Sequence, residues 1–221
     1  VNMYGLKDNV ARKAGTMGKE ENKEMEFWTQ EEFQAFLDCV ADKPISYYAF
    51  EMLYWTGIRE GELLALTPAD FNFEKKTLRI NKSYQRLEGK DVITDPKTPK
   101  SNRTIVMPDF LAVEMENFIS SLYGIKDDDR IFTISKSYLH HEMDRGAKLA
   151  GVKRIRIHGL RHSHISLLIN LGFSALAIGE RVGHEAVDIT YHYAHLFPTV
   201  QTDMAAQLET EREALVNVRK E

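Results

Sequence analysis

Near its C-terminal end the chain reads His158-Gly159-Leu160-Arg161-His162, followed by Gly183-His184 and by Thr190-Tyr191-His192-Tyr193-Ala194-His195. Upstream, the segment Thr56-Gly57-Ile58-Arg59-Glu60-Gly61-Glu62-Leu63 places another arginine at the end of an apolar stretch. Metal-free phosphoryl transfer requires groups of these kinds, because guanidinium groups bind phosphate oxygens and an activated hydroxyl can attack the phosphorus. The segments therefore predict one phosphate-binding site assembled from distant parts of the chain.

The composition predicts one globular domain with appendages, because 221 residues with a hydrophobic share of 43% can form a sizeable core. The single cysteine, Cys39, excludes a disulfide framework and indicates a reducing compartment. The first residues, Val1 to Tyr4, show no signal-peptide pattern. No stretch reaches the roughly 20 apolar residues of a membrane span. We therefore expect a cytoplasmic protein without a membrane partner.

The net charge of −4 and the pI near 6.1 count against nucleic-acid binding, but the charges are unevenly distributed. Residues 75–104 hold nine basic and three acidic side chains, and residues 153–158 form a second basic block. Because salt screens charges beyond about 10 Å, such local blocks can bind DNA although the whole chain is acidic. The candidate DNA contacts are Lys75, Lys76, Lys82, Lys100, Arg103, Lys153, Arg154 and Arg156.

The pattern of elements predicts an α+β fold, mainly helical, with a small antiparallel β-sheet or hairpin insertion. A capping box at residues 29–32 opens a helix that extends to about Asp42. Three short strands are predicted within residues 78–81, 92–94 and 103–106. Further helices are predicted at about 46–56, 109–122, 136–150, 159–171, 174–182 and 199–218.

The motifs of this chain resemble those of the tyrosine recombinases, or lambda-type integrases, and more closely the integrases of conjugative transposons. The resemblance extends from about Phe27 to Pro198 and depends on five motifs in the family's order. These are Thr-Gly-x-Arg-x-Gly-Glu-Leu at 56–63, Lys-Thr-x-x-Ser-x-Arg at 97–103, His-x-x-Arg at 158–161, Val-Gly-His at 182–184 and Thr-x-x-Tyr-x-His at 190–195. The family usually has leucine where this chain has Val182.

The resemblance implies a role for each site residue. Arg59 and Arg161 would hold the scissile phosphate, while His158 would hydrogen-bond the phosphate and is a candidate acceptor of the nucleophile's proton. His184 would donate to a non-bridging oxygen. Glu62 would be a structural carboxylate near the first arginine. Lys97 would be the general acid, with Lys90 and Lys100 as alternatives.

Two tyrosines, Tyr191 and Tyr193, are candidate nucleophiles, and the family pattern favours Tyr193. On a helix the two side chains would point about 200° apart, so only one of them can face the site. A phenol has a reference pKa near 10 and needs cations and a proton acceptor nearby to react at neutral pH.

The expected function is site-specific recombination of a mobile element through a 3′-phosphotyrosine intermediate, without a metal or another cofactor. The alternatives are DNA relaxation by a type IB topoisomerase and a catalytically silent DNA-binding module. A third alternative is a metal-dependent hydrolase built on His158, His162, His164 and His184. The helical pair His158 and His162 lacks the nearby carboxylate that such sites usually carry.

The expected partners are double-stranded DNA and other integrase protomers in a DNA-bound tetramer, with an excisionase as a further candidate. Residues 1–26 are interpreted as a linker from a preceding DNA-binding region of a longer integrase, and residues 27–198 as the catalytic domain. The C-terminal helix in residues 199–221 either docks on a neighbouring subunit or packs on its own domain.

Overall fold

The computed structural model describes residues 26–95 and 101–184, together with the individual positions 188, 193, 196, 208–210 and 212. Its helices are α1 (Gln30–Asp38), α2 (Pro44–Thr56), α3 (Glu60–Leu63), α4 (Asp109–Ser121), α5 (Lys136–Ala150), α6 (Ile157–Asn170) and α7 (Ala175–Val182). The strands are β1 (Phe71–Asn72), β2 (Thr77–Ile80), β3 (Ser83–Leu87), β4 (Lys90–Thr94) and β5 (Arg103–Val106). The fold is therefore mainly helical α+β, as the sequence predicts.

Helix α1 begins at the predicted capping box. The Thr29 side chain accepts a hydrogen bond from the backbone of Glu32, and the Glu32 carboxylate accepts one from the backbone of Thr29. The helix ends at Asp38, earlier than predicted, because the next amides bond to carbonyls three residues back, including Val40 to Leu37. Helix α2 ends at Gly57, whose positive φ of 65° is the left-handed conformation that favours glycine at a helix C-terminus.

The strands form two small antiparallel sheets rather than one. In the first sheet β2 lies between β1 and β5, with Leu78 opposite Ile105 and Ile80 opposite Arg103. The second is the hairpin of β3 and β4, closed by the residues at 88–89, which both have positive φ. The three predicted strands correspond to β2, β4 and β5, and the sequence analysis did not predict β1 and β3.

The core is formed by the helices around α2 and by the inner face of the three-stranded sheet. Trp28 packs on Phe36, and Phe33 stacks on Tyr54 of α2 with ring centroids 3.8 Å apart. Burial of aromatic side chains of this size dominates core stability. The rigid helix α2 therefore holds the turn that follows it, which begins the candidate site. None of the described helices is long and apolar enough to span a membrane.

The predicted helices at 46–56, 109–122, 136–150, 159–171 and 174–182 are all present, with ends shifted by one or two residues. The important shift is at α6, which begins at Ile157 and so includes His158. Most of the predicted helix at 199–218 lies outside the described residues, as do residues 1–25 of the linker that the sequence analysis places at 1–26.

Candidate active site

The first arginine lies in the turn between α2 and α3. Gly57 reverses the chain, Ile58 is buried, and Arg59 directly precedes α3. A Cβ atom at Gly57 would lie 2.6 Å from Cδ2 of His164, so the turn packs too closely on α6 for any side chain. The Arg59 side chain reaches the end of α7, where its Nη2 lies 3.4 Å from the carbonyl oxygen of Gly183.

A buried carboxylate, Glu62, orients two arginines. Its Oε1 accepts hydrogen bonds from Nη1 of Arg59 at 2.8 Å and from Nη1 of Arg103 at 3.1 Å. Its Oε2 accepts from the Arg59 backbone and from Nη2 of Arg103, both at 2.9 Å. Burial alone would raise the pKa of Glu62, but the hydrogen bonds and charges of Arg103 and Arg59 outweigh it and hold the pKa below its usual value. Glu62 is therefore the structural carboxylate that the sequence analysis expects.

The second arginine, Arg161, is 1% exposed and lies between two helix ends. Its Nη1 donates to the Gly57 carbonyl at 2.6 Å and its Nη2 to the Val182 carbonyl at 2.5 Å. Both carbonyls belong to helix C-termini, where unpaired carbonyl groups and the helix dipole favour a cation. The Nε atom is buried and has no hydrogen-bond partner within the described part of the chain. Burial, and then the charge of Arg59, lower the pKa of Arg161.

The two motif histidines are neutral at neutral pH. Burial, followed by the charges of Arg161 and Arg59, lowers the pKa of His184 to about 4. The same causes in the same order lower the pKa of His158, although part of its ring stays exposed. The charges of Arg59 and Arg161 act on both His158 and His184, so these four residues lie close enough to form one site. Neutral imidazoles can donate hydrogen bonds there without adding to the repulsion between the cations.

Tyr193 completes the group. Its side chain is 3% exposed, and its hydroxyl lies in hydrogen-bond contact with Nδ1 of His162. Burial raises the pKa of Tyr193 above its usual value, and the charge of Arg161 opposes this shift. The rings of His162 and His158 lie edge to face with centroids 4.8 Å apart. The site thus joins the turn before α3, the start of α6, His184 (two residues after the end of α7) and Tyr193.

A second pair, the half-buried Arg181 and the buried His164, joins α7 to α6. Nε of Arg181 on α7 donates to Nε2 of His164 at 3.0 Å, and its other nitrogens donate to the carbonyls of Val106 and Trp55. Burial, with the charges of Arg181 and Arg161, lowers the pKa of His164 to about 3. The bond to Arg181 occupies the Nε2 lone pair, which argues against His164 as a ligand in the metal-dependent hydrolase. The described residues contain no group of three or more possible metal ligands.

The structure brings together five of the six predicted catalytic residues: Arg59, His158, Arg161, His184 and Tyr193. Lys97, the predicted general acid, lies outside the described residues, as do Lys100 and Tyr191. The alternative acid Lys90 is exposed on β4.

The predicted DNA contacts differ in their surroundings. Lys75, Lys153, Arg154 and Arg156 are exposed, and Arg154 pairs with Asp144 at 2.7 Å. Lys76 pairs with Asp109 at 2.8 Å. Lys82 lies 2.5 Å from the buried carboxylate of Asp70 and is only partly exposed. Lys153 lies 3.9 Å from Glu32, so Lys75 and Arg156 are the exposed members that show no ion pair in the described part of the chain.

Arg103 does not have the exposed position expected of a DNA contact. Its guanidinium is buried, with Glu62 on one side and the carbonyls of Arg181 and Ser101 as further acceptors. The reason is its register on β5, opposite Ile80, which directs it into the protein toward α3 and α7. Arg103 therefore joins the sheet to the site.

Sequence reasoning did not assign roles to Arg103, Arg181 or His164 in the site, nor to the contact between His162 and Tyr193. Arg103 and its partner Glu62 are 41 residues apart in the sequence, and Arg181 and its partner His164 are 17 residues apart. A single sequence contains no signal for such pairs. A possible indication for His162 was its position one helical turn after His158 on the same face.

Comparison with known proteins agrees with this geometry. Residues 26–199 match the Phage integrase family, and the chain belongs to that family. It is 32% identical over 217 residues to the ICEBs1 integrase of Bacillus subtilis (strain 168), covering 91% of this chain and 58% of the relative. It is 31% identical over 179 residues to the integrase of Staphylococcus phage L54a, covering 73% and 51%. The chain thus spans between half and three fifths of these relatives.

Among solved structures, the fold resembles the Tn1549 transposon integrase in complex with a circular intermediate DNA. The TM-score is 0.70 at 22% identity, and the match covers 88% of this chain and 68% of the other. XerA recombinase gives a TM-score of 0.63 at 20% identity, covering 86% and 66%. The predicted family and fold class are confirmed, and the relatives include transposon integrases, as the resemblance suggested.

Proposed function

We propose that this chain is the catalytic part of a site-specific DNA recombinase that integrates or excises a mobile element. The observation that carries the proposal is the convergence of Arg59, Arg161, His158 and His184 on one site beside Tyr193. Cations and neutral donors fixed before a reaction stabilise the charge that develops in the transition state. The Nε of Arg161, which has no hydrogen-bond partner among the described residues, is a donor that a phosphate oxygen would satisfy.

In the proposed reaction the Tyr193 oxygen attacks a scissile phosphate in DNA. The bond from phosphorus to the 5′-oxygen breaks, a 3′-phosphotyrosyl bond forms, and the 5′-oxygen takes a proton from Lys97. A second DNA 5′-hydroxyl then reverses the reaction and releases the tyrosine. Because each phosphodiester is exchanged for another ester, the energy of the broken bond is conserved and no nucleotide cofactor is required.

The Tn1549 relative was solved with DNA, and XerH recombinase was solved bound to its difH substrate. We extend DNA binding to this chain, with residues 27–198 as the catalytic domain and residues 199–221 as a segment that contacts another protomer. A DNA-bound tetramer, an excisionase and independence from metal ions belong to the same proposal.

The test uses a pool of nicked suicide duplexes with randomised sequence on both sides of the nick. Loss of the short strand after cleavage prevents religation and traps the protein on DNA. In EDTA we expect an adduct that survives SDS and yields a defined set of sequences. Strand cleavage that requires Mg²⁺ or Zn²⁺ and leaves no covalent adduct would instead support a metal-dependent nuclease.

A further inference from the structure

The tyrosine hydroxyl has a basic neighbour that the motif-based assignment did not use. Nδ1 of His162 is in hydrogen-bond contact with Oη of Tyr193, and the two ring centroids are 5.8 Å apart. No hydrogen bond joins His158 to Tyr193 in the described part of the chain, although both histidines belong to α6. We propose that His162, rather than His158, accepts the proton of Tyr193 during attack on the phosphate. This inference rests on the proposed function.

The nucleophile needs such an acceptor because its surroundings keep it neutral. Tyr193 is 3% exposed, and its pKa lies above the usual value for a phenol. Ionisation before the attack would therefore be rare at neutral pH. A base in direct contact can remove the proton as the oxygen–phosphorus bond forms, which is general base catalysis. The observed contact provides the required geometry before DNA binds.

Two of the histidines of α6, His158 and His162, have different roles in this proposal. His158, Arg161 and His162 stand at positions i, i+3 and i+4 of α6, so they share one face. Among the described residues, the other charged and titratable groups that act on this face include Arg59, Glu62, Arg103, His184 and Asp188. His158, partly exposed and close to both arginines, is free of the tyrosine and available to the phosphate. His162, one turn later, contacts the nucleophile.

The proton transfer balances with the covalent step. In the acceptor tautomer the proton of His162 is on Nε2, and the Nδ1 lone pair receives the Tyr193 O–H hydrogen bond. The Oη–H bond breaks as the bond from Oη to phosphorus forms, and the proton moves to Nδ1. The imidazolium then holds the proton that must return to Oη when the second strand displaces the tyrosine.

The critical variant is His162→Asn. The side-chain amide of asparagine can place a hydrogen-bonding atom near the position of Nδ1, but it cannot accept a proton at neutral pH. If His162 only orients Tyr193, asparagine should replace it with little loss of rate. If His162 is the base, the single-turnover rate of adduct formation should fall by about 10²–10⁴-fold, and this is the result that we expect.

The measurements are the rate of adduct formation against pH and its recovery with added imidazole. We expect the rate of adduct formation by His162→Asn to keep rising with pH, because hydroxide then removes the tyrosine proton. We also expect added imidazole to restore activity to His162→Ala. His141→Ala, which changes an exposed histidine on α5, is the matched control and should behave as wild type. Circular dichroism should show that all variants are folded.

The outcomes separate this inference from the proposed function. Absence of any adduct with the wild-type chain would contradict the recombinase function. A normal wild-type adduct together with a His162→Asn rate and pH profile close to wild type would contradict the role of His162 alone. Loss of rate in His162→Asn with an unchanged pH profile and no imidazole rescue would show that His162 positions the tyrosine, which also contradicts the inference.

Discussion

At the scale of single residues, the site depends on charges that are paired before any substrate is present. Glu62 accepts four hydrogen bonds from Arg59 and Arg103, and thereby fixes the first phosphate-binding arginine from behind. Removing one partner from a buried ion pair leaves the other charge uncompensated, which costs more than the pair contributes. Glu62 should therefore matter for both stability and cleavage.

Glu62→Gln should lower the free energy of unfolding by about 3–5 kcal/mol, because two buried or half-buried guanidinium groups lose their counter-charge. Urea denaturation checks this value. Glu180→Gln, which changes an exposed carboxylate on α7, is the control and should stay within about 0.5 kcal/mol of wild type. A Glu62→Gln protein as stable as the control would contradict the structural role.

His164 should make stability depend on pH. Its pKa of about 3 in the folded state lies below the ordinary histidine pKa of about 6.5, so the unfolded chain binds its proton first as the pH falls. The stabilisation by neutral His164 is thus complete above about pH 6.5 and declines as the pH falls toward 3. The stability gap between wild type and His164→Gln should narrow by about 2 kcal/mol between about pH 7 and about pH 5. A gap independent of pH would contradict the buried neutral histidine.

At the scale of elements, the site is built where helices end. The C-termini of α2 and α7 supply the carbonyls of Gly57 and Val182 to Arg161, and glycine in the left-handed conformation ends each of these helices. The start of α6 carries His158 and Arg161. The unpaired carbonyl groups and the dipole at a helix C-terminus reduce the free-energy cost of burying a cation there.

Gly57→Ala should lower the free energy of unfolding more than Gly151→Ala does. Both glycines end helices with positive φ, 65° and 68°, but a Cβ at Gly57 would lie 2.6 Å from His164 whereas nothing lies within 4 Å at Gly151. Gly151→Ala should cost about 1–2 kcal/mol for the strained backbone. Gly57→Ala should cost a further 1–3 kcal/mol, roughly, from crowding. Equal losses in thermal or urea unfolding would contradict the close packing of the turn on α6.

The helices and their caps were predictable because their signals are local. The capping box at 29–32, which is confirmed at the start of α1, and the glycine at 57, which ends α2, both act within a few residues. Strand β3 was not predicted, because its register depends on pairing with β4 across an unusual turn with Glu88 at φ 49°. The motif residues of the site could be named from the sequence, whereas the position of Arg103 depends on a strand register that no local signal encodes.

At the scale of the whole molecule, two predicted DNA contacts are exposed and show no ion pair in the described part of this acidic chain: Lys75 near β2 and Arg156 before α6. Lys82 does not belong to this surface, because its ammonium group neutralises the buried Asp70. Charge reversal at Lys82 should therefore destabilise the fold rather than report on DNA binding.

Lys75→Glu and Arg156→Glu should each weaken binding to a random duplex and reduce the salt dependence of the affinity. Each phosphate contact contributes roughly −0.9 to the slope of log K against log salt, so each variant should lower the magnitude of the slope by about 1. Fluorescence anisotropy over a salt series measures this. Lys126→Glu, in the acidic turn at 126–129, is the matched control. Unchanged slopes in both variants would show that these cations lie outside the DNA interface.

The central claim is that Tyr193, held by the two arginines and the histidines, forms a covalent bond to DNA. The most direct measurement is peptide mapping by mass spectrometry of the adduct trapped with a suicide duplex in EDTA, after nuclease digestion. We predict a nucleotide mass on Tyr193, loss of the adduct in Tyr193→Phe and its retention in Tyr191→Phe. A nucleotide on Tyr191 or on any other residue, or an undiminished adduct in Tyr193→Phe, would contradict the claim.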